Sequence, residues 1–283
     1  MEAKTAFPIG LPHSNTGIEE MMMIEQDLFL HPFESAAREE MLKTLNFKNQ
    51  IEEQYIHFEE KKRRPDLLGK TVKVSELQVP RVYRIAHRIC QQFNMDLPSI
   101  FVYEDFYYAI DSKGMENPWI ELSASLITDF TDKELEFLLA REIGKIHFHY
   151  TYFNTLLCEA LEMLAKGAVP FSNGIVEDVA KVIFYRWSRL INYSVDCFGY
   201  LVCQDLHAAS QAILKCVLNS VFLAENTNMR EFINQAKGIN ELHDPVYEAA
   251  KSDEQFPYAP FRIKNILAYA SSERAMMARK LLI

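Results

Sequence analysis

The sequence has few of the residues that interrupt regular structure, with nine glycines and eleven prolines in 283 residues. It also has no internal repeat and no low-complexity stretch. Flexible linkers and repeat arrays depend on these features, so neither is expected. Hydrophobic residues make up 49% of the chain and charged residues 24%, which is typical of a globular protein with a sizeable core. We therefore expect one compact unit.

An excess of positive charge is also missing. The formal net charge is −9 and the pI is about 5.5. Nucleic-acid backbones and anionic membrane surfaces select basic patches, so neither is expected as the main partner. The one basic run, residues 61–64, follows two glutamates and is interpreted as a solvated helix end.

Signals for export and for membrane insertion are not recognised. Residues 1–11 contain no cationic start followed by an apolar run, as a signal peptide would. The longest apolar stretch, residues 153–171, contains Glu159, Glu162 and Lys166, and charges are costly at a bilayer centre. The five cysteines are scattered, without a C-x-x-C pair, which is typical of reduced thiols. We expect a cytoplasmic protein that is not embedded in a membrane.

The order of predicted elements is helices, then a small sheet, then helices. Apolar residues recur at helical spacing in residues 32–62 and 80–93. Short segments rich in β-branched and aromatic residues predict strands at 100–103, 107–110 and 119–122. Asp-Ser-Lys-Gly and Asn-Pro between them are interpreted as turns, which predicts a small antiparallel sheet.

The second helical part begins at a capping-box pattern, Thr131-Asp132-Lys133-Glu134. The predicted helices cover residues 132–165, 174–203, 207–223 and 260–280. The fold class is therefore α+β and mainly helical. We divide the chain into an N-terminal helical extension, residues 1–72, and a main domain, residues 73–283.

Residues 134–147 read Glu-Leu-Glu-Phe-Leu-Leu-Ala-Arg-Glu-Ile-Gly-Lys-Ile-His. This segment resembles the active-site helix of the HtpX and CAAX-prenyl-protease family of zinc metallopeptidases, which are gluzincins of peptidase family forty-eight. In that family an H-E-x-x-H motif binds zinc through two histidines, and the glutamate activates a metal-bound water. Arg141 and Lys145 stand at the two histidine positions of this chain, and Glu142 stands at the glutamate position.

A second segment, residues 189–200, is similar to the R-x-x-E-x-x-x-D-x-x-G helix of the same family. The resemblance implies that Asn192 replaces the glutamate that is the third zinc ligand. Asp196 matches the aspartate that orients a ligating histidine. Weaker similarity in residues 109–126, 205–215 and 259–262, the last without the family's histidine, extends the match to roughly residues 73–270. It implies a zincin-like fold with the sheet beside the active-site helix.

The residues at the three ligand positions are poor zinc ligands. Lysine ligates only as the neutral amine, arginine stays protonated, and an asparagine carbonyl suits zinc badly. Without the ion Glu142 has no polarised water to deprotonate, so we expect no cofactor and no hydrolysis. Instead, Arg141 and Lys145 would face Glu142 and Asp196, which predicts a salt-bridge cluster in the volume that zinc occupies in the family.

One bland interpretation of these residues stays open, and two other candidate sites are disfavoured. Residues 141–145 alone would also suit an ordinary exposed helix turn with a glutamate between two cations. His147 and His149 are two residues apart on a predicted helix and point in different directions, which makes a poor chelate. Cys197 adjoins Asp196, whose charge would raise the pKa of the thiol and oppose nucleophilic catalysis.

The resemblance also suggests a peptide-binding edge strand. In the family the strand before the active-site helix lies at the cleft edge, where an extended substrate pairs with it by β-augmentation. The matching residues are Asn117, Pro118, Trp119, Ile120, Glu121, Leu122 and Ser123. An ordinary sheet strand with Trp119 packed in the core is the open alternative.

These observations predict a catalytically inactive metallopeptidase homologue, a pseudopeptidase that binds a peptide or protein as an accessory or regulatory factor. The rival hypothesis is an active metallopeptidase or other hydrolase that uses a displaced metal site or new chemistry around Glu142. A third is a structural partner in a complex, with aromatic residues around 103–108 at the interface. The sequence does not indicate an oligomeric state.

Overall fold

The computed structural model describes residues 27–45, 48–165 and 177–281. The fold is α+β and mainly helical. The helices are α1 (Glu34–Thr44), α2 (Lys48–Gln54), α3 (Glu60–Lys70), α4 (Pro80–Gln92), α5 (Ala124–Asp129), α6 (Asp132–His147), α7 (Tyr150–Ala165), α8 (Glu177–Cys203), α9 (Leu206–Leu218), α10 (Val221–Asn226), α11 (Met229–Asn240), α12 (Pro245–Ser252), α13 (Ala259–Ala270) and α14 (Glu273–Leu281), and a π-helical turn, Tyr55–Glu59, joins α2 to α3. None of the helices in the described ranges is long and apolar enough to cross a membrane.

The sheet has four strands in the order β1-β2-β4-β3. The strands are β1 (Val72–Lys73), β2 (Ser99–Tyr103), β3 (Ile110–Lys113) and β4 (Trp119–Ser123). β1 pairs with β2, and β3 with β4, in antiparallel orientation, but β2 and β4 are parallel. The sheet is therefore mixed rather than wholly antiparallel, because β4 returns between β2 and β3 instead of extending a meander.

The third strand along the chain, β3, lies later than predicted. The predicted strand at residues 107–110 overlaps β3 only at Ile110, and the Asp-Ser-Lys that follows is the strand itself. The turn comes after it, at Gly114, whose φ of +100° is the left-handed conformation that favours glycine. A Cβ at Gly114 would lie 2.7 Å from the Trp119 ring, so the turn also needs glycine for space.

The prediction of an edge strand at residues 117–123 is wrong. β4 lies between β2 and β3, and all five of its residues are buried. Its backbone hydrogen bonds are therefore used on both sides, and an extended peptide has no free edge to pair with there. Trp119 packs with Phe101 and Leu67, and its indole N–H donates to Glu121 over 2.8 Å. The ordinary sheet strand is the correct interpretation.

The predicted helix over residues 132–165 is two helices. Its start is as predicted, because the Thr131 side chain accepts from the Glu134 N–H and the Glu134 carboxylate accepts from the Thr131 N–H. α6 ends at His147, and His149 has a φ of +61°, a left-handed conformation in which an α-helix does not continue. The predicted start of the next helix at residue 174 lies outside the described residues.

The two helical segments predicted farther along are also divided, and two helices between residues 224 and 259 were missed, as was α5 before α6. Asn219, with a φ of +49°, separates α9 from α10. A turn separates α13 from α14 within the predicted 260–280 helix. The two missed helices in that range are α11 and α12, each of which begins after a side-chain cap, at Asn228 and Asp244.

The N-terminal helices share the core of the main domain. The Trp187 indole N–H on α8 donates to Glu34 over 3.1 Å, and the His31 N–H donates to Ser194 over 2.9 Å. Phe29 lies in the same hydrophobic cluster as the α6 and α8 side chains. The division of the chain at residue 72 stays a prediction.

The helices α6 and α8 approach each other closely where they cross, because glycine stands at the contact on both. A Cβ at Gly144 would lie 2.7 Å from the Phe198 ring. A Cβ at Gly199 would lie 2.8 Å from Cγ of Arg141 and 2.9 Å from the Phe137 carbonyl oxygen. All residues of α6 from Glu134 to Lys145 are buried. The polar side chains between these two residues therefore meet the protein interior rather than solvent.

Candidate functional site

Arg141 joins α6 to α8 through contacts with two buried side chains. Its Nε lies 2.6 Å from Oδ1 of Asp196, and its Nη2 donates to Oδ1 of Asn192 over 3.0 Å. Asn192 in turn donates to the Ser188 carbonyl oxygen over 2.9 Å, which fixes its amide oxygen toward Arg141. The structure thus brings together one residue from the H-E-x-x-H-like segment and two from the second matched segment.

Arg262 on α13 completes the partners of Asp196. Its Nε and Nη2 donate to Oδ2 and Oδ1 of Asp196, each over 2.8 Å, in the bidentate geometry typical of arginine and carboxylate. Burial raises the pKa of Asp196, but Arg262 and Arg141 outweigh that effect and keep the pKa below its usual range. Residues 259–262 were noted only for their resemblance, and Arg262 was missed as a site residue because its partner is distant in sequence.

Glu142 connects α6 to β3. Its Oε2 accepts from the Ser112 N–H over 3.0 Å and from the Ser112 hydroxyl over 2.9 Å. The same hydroxyl lies 2.7 Å from the Thr151 hydroxyl on α7. The other carboxylate oxygen of Glu142, Oε1, lies 2.9 Å from Nζ of Lys145 and 3.7 Å from Nη1 of Arg141. These are ion-pair distances, and neither cation makes a well-directed hydrogen bond to Oε1.

Asp111 on β3 adds a partly exposed carboxylate to this group of charged side chains. Its Oδ1 lies 3.7 Å from Nζ of Lys145, and 44% of its side-chain surface is exposed. Desolvation raises the pKa of Asp111, and the charge of Glu142 adds to this, although Lys145 opposes both. Asp111 was missed because Asp-Ser-Lys-Gly is typical of a turn. No local sequence pattern indicates that an aspartate of β3 lies near a lysine of α6.

The charged side chains around Arg141 form a polar cluster that is balanced in charge. It has three cationic and three acidic side chains. Its charged members are Arg141, Lys145, Arg262, Glu142, Asp196 and Asp111. The three residues at the ligand positions of the resemblance contact one another or the carboxylates, and guanidinium, ammonium and amide groups do not suit zinc. Across the described ranges, no group of three or more histidine, cysteine, aspartate or glutamate side chains has the geometry of a metal site.

The other candidate groups show no catalytic arrangement. His147 packs edge-on against Phe148 with ring centroids 4.9 Å apart, and burial lowers the pKa of its imidazole. Cys197 is buried, and its Sγ lies 3.3 Å from the Asn265 amide nitrogen. Burial, followed by the charge of Asp196, raises the pKa of the Cys197 thiol, which keeps it protonated and a poor nucleophile.

Comparison with known proteins identifies a distant relative. No protein-family model matches the chain. The chain is 24% identical over 181 residues to the plastoglobule-localized metallopeptidase 48 of Arabidopsis thaliana, a chloroplast protein, with 62% of this chain and 51% of the relative aligned. It thus spans about half the length of that relative. The crystal structure of S. mikatae Ste24p superposes with a TM-score of 0.45 and 15% identity, covering 89% of this chain and 67% of Ste24p. By its sequence the chain is a distant homologue of a metallopeptidase.

Proposed function

We propose that this chain is a catalytically inactive homologue of the HtpX and CAAX-prenyl-protease type of zinc metallopeptidase, and that it binds a peptide or protein as an accessory or regulatory factor. One observation supports the loss of catalysis above all others. The guanidinium of Arg141 contacts both Asn192 and Asp196. In the alignment that the resemblance implies, a cation of the protein itself therefore occupies the space of the zinc ion.

Glu142 is also badly placed to act as a general base. A base must reach a water next to the substrate, and its proton affinity must suit the reaction. Glu142 is fully buried, and its Oε2 already accepts two hydrogen bonds from Ser112. Its Oε1 lies 2.9 Å from Nζ of Lys145, so groups of the protein itself contact both carboxylate oxygens. Glu142 acts in this proposal as a connection between α6 and β3.

The polar cluster takes over the mechanical role of a structural ion. It connects α6 to α8 through Arg141, α8 to α13 through Arg262, and α6 to β3 through Glu142. Desolvation offsets much of the attraction in such buried pairs, so we expect a small net stabilisation. The fold is then independent of metal, and its surface is available for binding a partner.

Strand addition is not the binding mode that we propose. β4 is internal, and the outer edge of β3 is partly used because the Ser112 N–H donates to Glu142 and the Gly114 N–H donates to Thr155 over 3.2 Å. Exposed side chains elsewhere are better suited to binding a partner.

A cytoplasmic location also stays part of the proposal. All five cysteines lie in the described ranges and are free thiols.

One observation favours the alternative of an active hydrolase with new chemistry around Glu142. Oε1 of Glu142 has no well-directed hydrogen bond, and the neighbouring Lys145 lies 3.7 Å from the partly exposed Asp111. The Lys145 ammonium can pair with an anionic substrate, and the carboxylates of Glu142 and Asp111 are groups that can ligate a displaced metal ion. A metal measurement separates the two hypotheses.

The first test is the metal content of the purified, tag-free protein after dialysis against zinc, with a chelator-treated sample as control. We expect less than about a tenth of an equivalent, because binding requires a preformed set of suitable ligands. A chelator-sensitive content near one equivalent would contradict the proposal and support the alternative. Peptidase assays would then follow.

The second test restores the ligands of the resemblance with Arg141→His, Lys145→His and Asn192→Glu in one chain. We expect this triple variant to bind about one equivalent of zinc, since Arg141 contacts Asn192 across α6 and α8 and Lys145 lies one turn farther along α6. The matched control replaces all three residues by glutamine, which removes the same charges but supplies no good ligand. If the triple variant is unfolded without metal, zinc-dependent recovery of its helical circular dichroism is the readout. A triple variant that is folded and still binds no zinc would contradict the alignment.

A further inference from the structure

The loop between β2 and β3 exposes two aromatic side chains at its tip. Phe106 is 93% exposed and Tyr107 is 68% exposed. A third large apolar side chain, Phe222 in the first turn of α10, is 72% exposed. We call Phe106, Tyr107 and Phe222 the aromatic patch. Contiguous exposed apolar surface is typical of interaction sites, whereas isolated exposed residues are not.

A single side chain connects the two segments of the aromatic patch. Nδ2 of Asn219 donates to the Phe106 carbonyl oxygen over 2.7 Å, and Oδ1 of Asn219 accepts from the Tyr108 N–H over 2.8 Å. Phe222 follows Asn219 by three residues, a length of chain that spans at most about 11 Å. The exposed tip and the start of α10 are therefore neighbours.

The tip of the loop is fixed on its other side as well. The Tyr107 N–H donates to Asp105 over 3.2 Å, and the Tyr108 hydroxyl donates to Asp129 on α5. The Tyr108 ring also packs edge-on against Phe130 at 5.0 Å. A loop that is already ordered loses little conformational entropy on binding, so its exposed aromatic side chains are well suited to act as anchors.

The chain segments that form the aromatic patch carry charges of one sign. The contacts of Asn219 and Tyr108 join residues 103–110, 124–131 and 216–226, which contain four carboxylates and no lysine or arginine. Two cations contact these segments from outside, but Lys215 is buried and pairs with Glu134, and Arg81 pairs with Asp132. The four carboxylates are Glu104, Asp105, Asp129 and Glu225. Such a rim repels anionic lipids and nucleic acid. It also opposes self-association patch to patch, because a twofold contact would place like charges opposite each other.

We propose that the aromatic patch binds a protein segment whose apolar side chains are flanked by lysine or arginine. The apolar side chains would cover Phe106, Tyr107 and Phe222, and the basic side chains would pair with the acidic rim. The aromatic patch shares no residue with the polar cluster around Arg141. The inference therefore goes beyond the proposed function and would stand even if the polar cluster bound metal.

The test uses a random library of short peptides, selected on the immobilised full chain and depleted on the Phe106→Ser/Tyr107→Ser variant. We expect the selected peptides to be enriched in lysine or arginine next to aromatic or aliphatic residues. By fluorescence anisotropy, their Kd should weaken at least about tenfold in the double variant, as is typical of anchor residues. Added salt should weaken binding further, because the rim is exposed.

Two further variants make the test specific. Phe58→Ser/Leu77→Ser removes exposed apolar side chains outside the three segments, and should leave Kd unchanged. Asn219→Gly keeps the left-handed backbone, which glycine adopts freely, but removes both side-chain hydrogen bonds to the loop. It should weaken binding several-fold with all aromatic side chains still present. Circular dichroism and melting curves check that each variant is folded.

Three outcomes would overturn the inference. One is a selection in which the recovered peptides are acidic or neutral, or in which no peptide is enriched. Another is an equal loss of binding in the control variant and in the patch variant. The third is binding to vesicles of anionic phosphatidylserine that depends on Phe106 and Tyr107, which would assign the patch to a membrane surface instead.

Discussion

The two ends of the polar cluster differ in how completely their charges are paired. At the inner end, both oxygens of Asp196 accept from Arg262, and Oδ1 also accepts from Arg141. At the outer end, Oε1 of Glu142 has only an ion-pair contact with Lys145, and Asp111 is partly exposed. The inner end is a fully paired contact between helices. The outer end keeps unused hydrogen-bonding capacity.

This difference separates structural from functional questions. A fully paired buried charge is costly to disturb because its partners cannot recover their hydration. A partly paired charge near solvent can bind an ion or a water at lower cost. Any chemistry that the polar cluster retains should therefore depend on Glu142, Lys145 and Asp111, whereas Asp196 and its arginines should determine stability.

The largest expected effect is that of Asp196→Ala. It leaves Arg141 and Arg262 buried without their carboxylate, so we expect a loss of about 3–5 kcal/mol in the free energy of unfolding. Urea unfolding followed by circular dichroism measures it. The matched variant at the outer end is Glu142→Gln, which keeps an acceptor for Ser112 and should cost less than about 2 kcal/mol. Equal costs for the two variants would remove the distinction between the ends.

The next largest effects concern the two glycines at the crossing of α6 and α8. Gly144→Ala and Gly199→Ala should each cost roughly 1–3 kcal/mol through overpacking. Gly199→Ala should cost more, because its Cβ would meet the Phe137 backbone oxygen at 2.9 Å as well as Arg141. Gly238→Ala on α11 is the control, since nothing lies within 4 Å of its Cβ, and it should stabilise by up to about 1 kcal/mol. A harmless Gly199→Ala would mean that the helices have room to separate.

Local sequence signals predicted the elements but not their pairing. The capping box at Thr131 and the helix that begins at Pro80 were both placed correctly, because caps and helical periodicity are encoded within a few residues. β4 was wrongly placed at an edge, since the position of a strand in a sheet depends on partners distant in sequence. The break at His149 was missed because a left-handed histidine has no sequence signal.

The site residues on α6 and α8 were predictable from the sequence, whereas those on other elements were not. The resemblance of two helical segments to a metallopeptidase family was enough to suggest Arg141, Glu142, Asn192 and Asp196 as neighbours. The roles of these residues in binding or catalysis stay predictions. Arg262 could be found only from the fold, because its contact with Asp196 joins α13 to α8.

The smallest expected effect is a difference in pH dependence between the two ends. The folded-state pKa of Asp196 is depressed, so its stabilising contribution is present above the unfolded-state pKa, about 3.9, and is lost as pH falls through the folded-state value. The folded-state pKa of Asp111 is raised, so the stability linked to it is present below that unfolded-state value and is lost as pH rises through the folded-state value.

The variants Asp196→Asn and Asp111→Asn separate these contributions. Urea unfolding of each variant and of the wild type is measured from about pH 3 to about pH 7, and the differences in free energy are compared. The advantage of the wild type over Asp196→Asn should shrink toward the acidic limit, whereas its advantage over Asp111→Asn should shrink as pH rises. The second change should be the smaller, because solvent screens the partly exposed Asp111. If both differences in the free energy of unfolding changed with pH in the same direction, the two carboxylates would have similar surroundings. The outer end would then be as fully paired as the inner one.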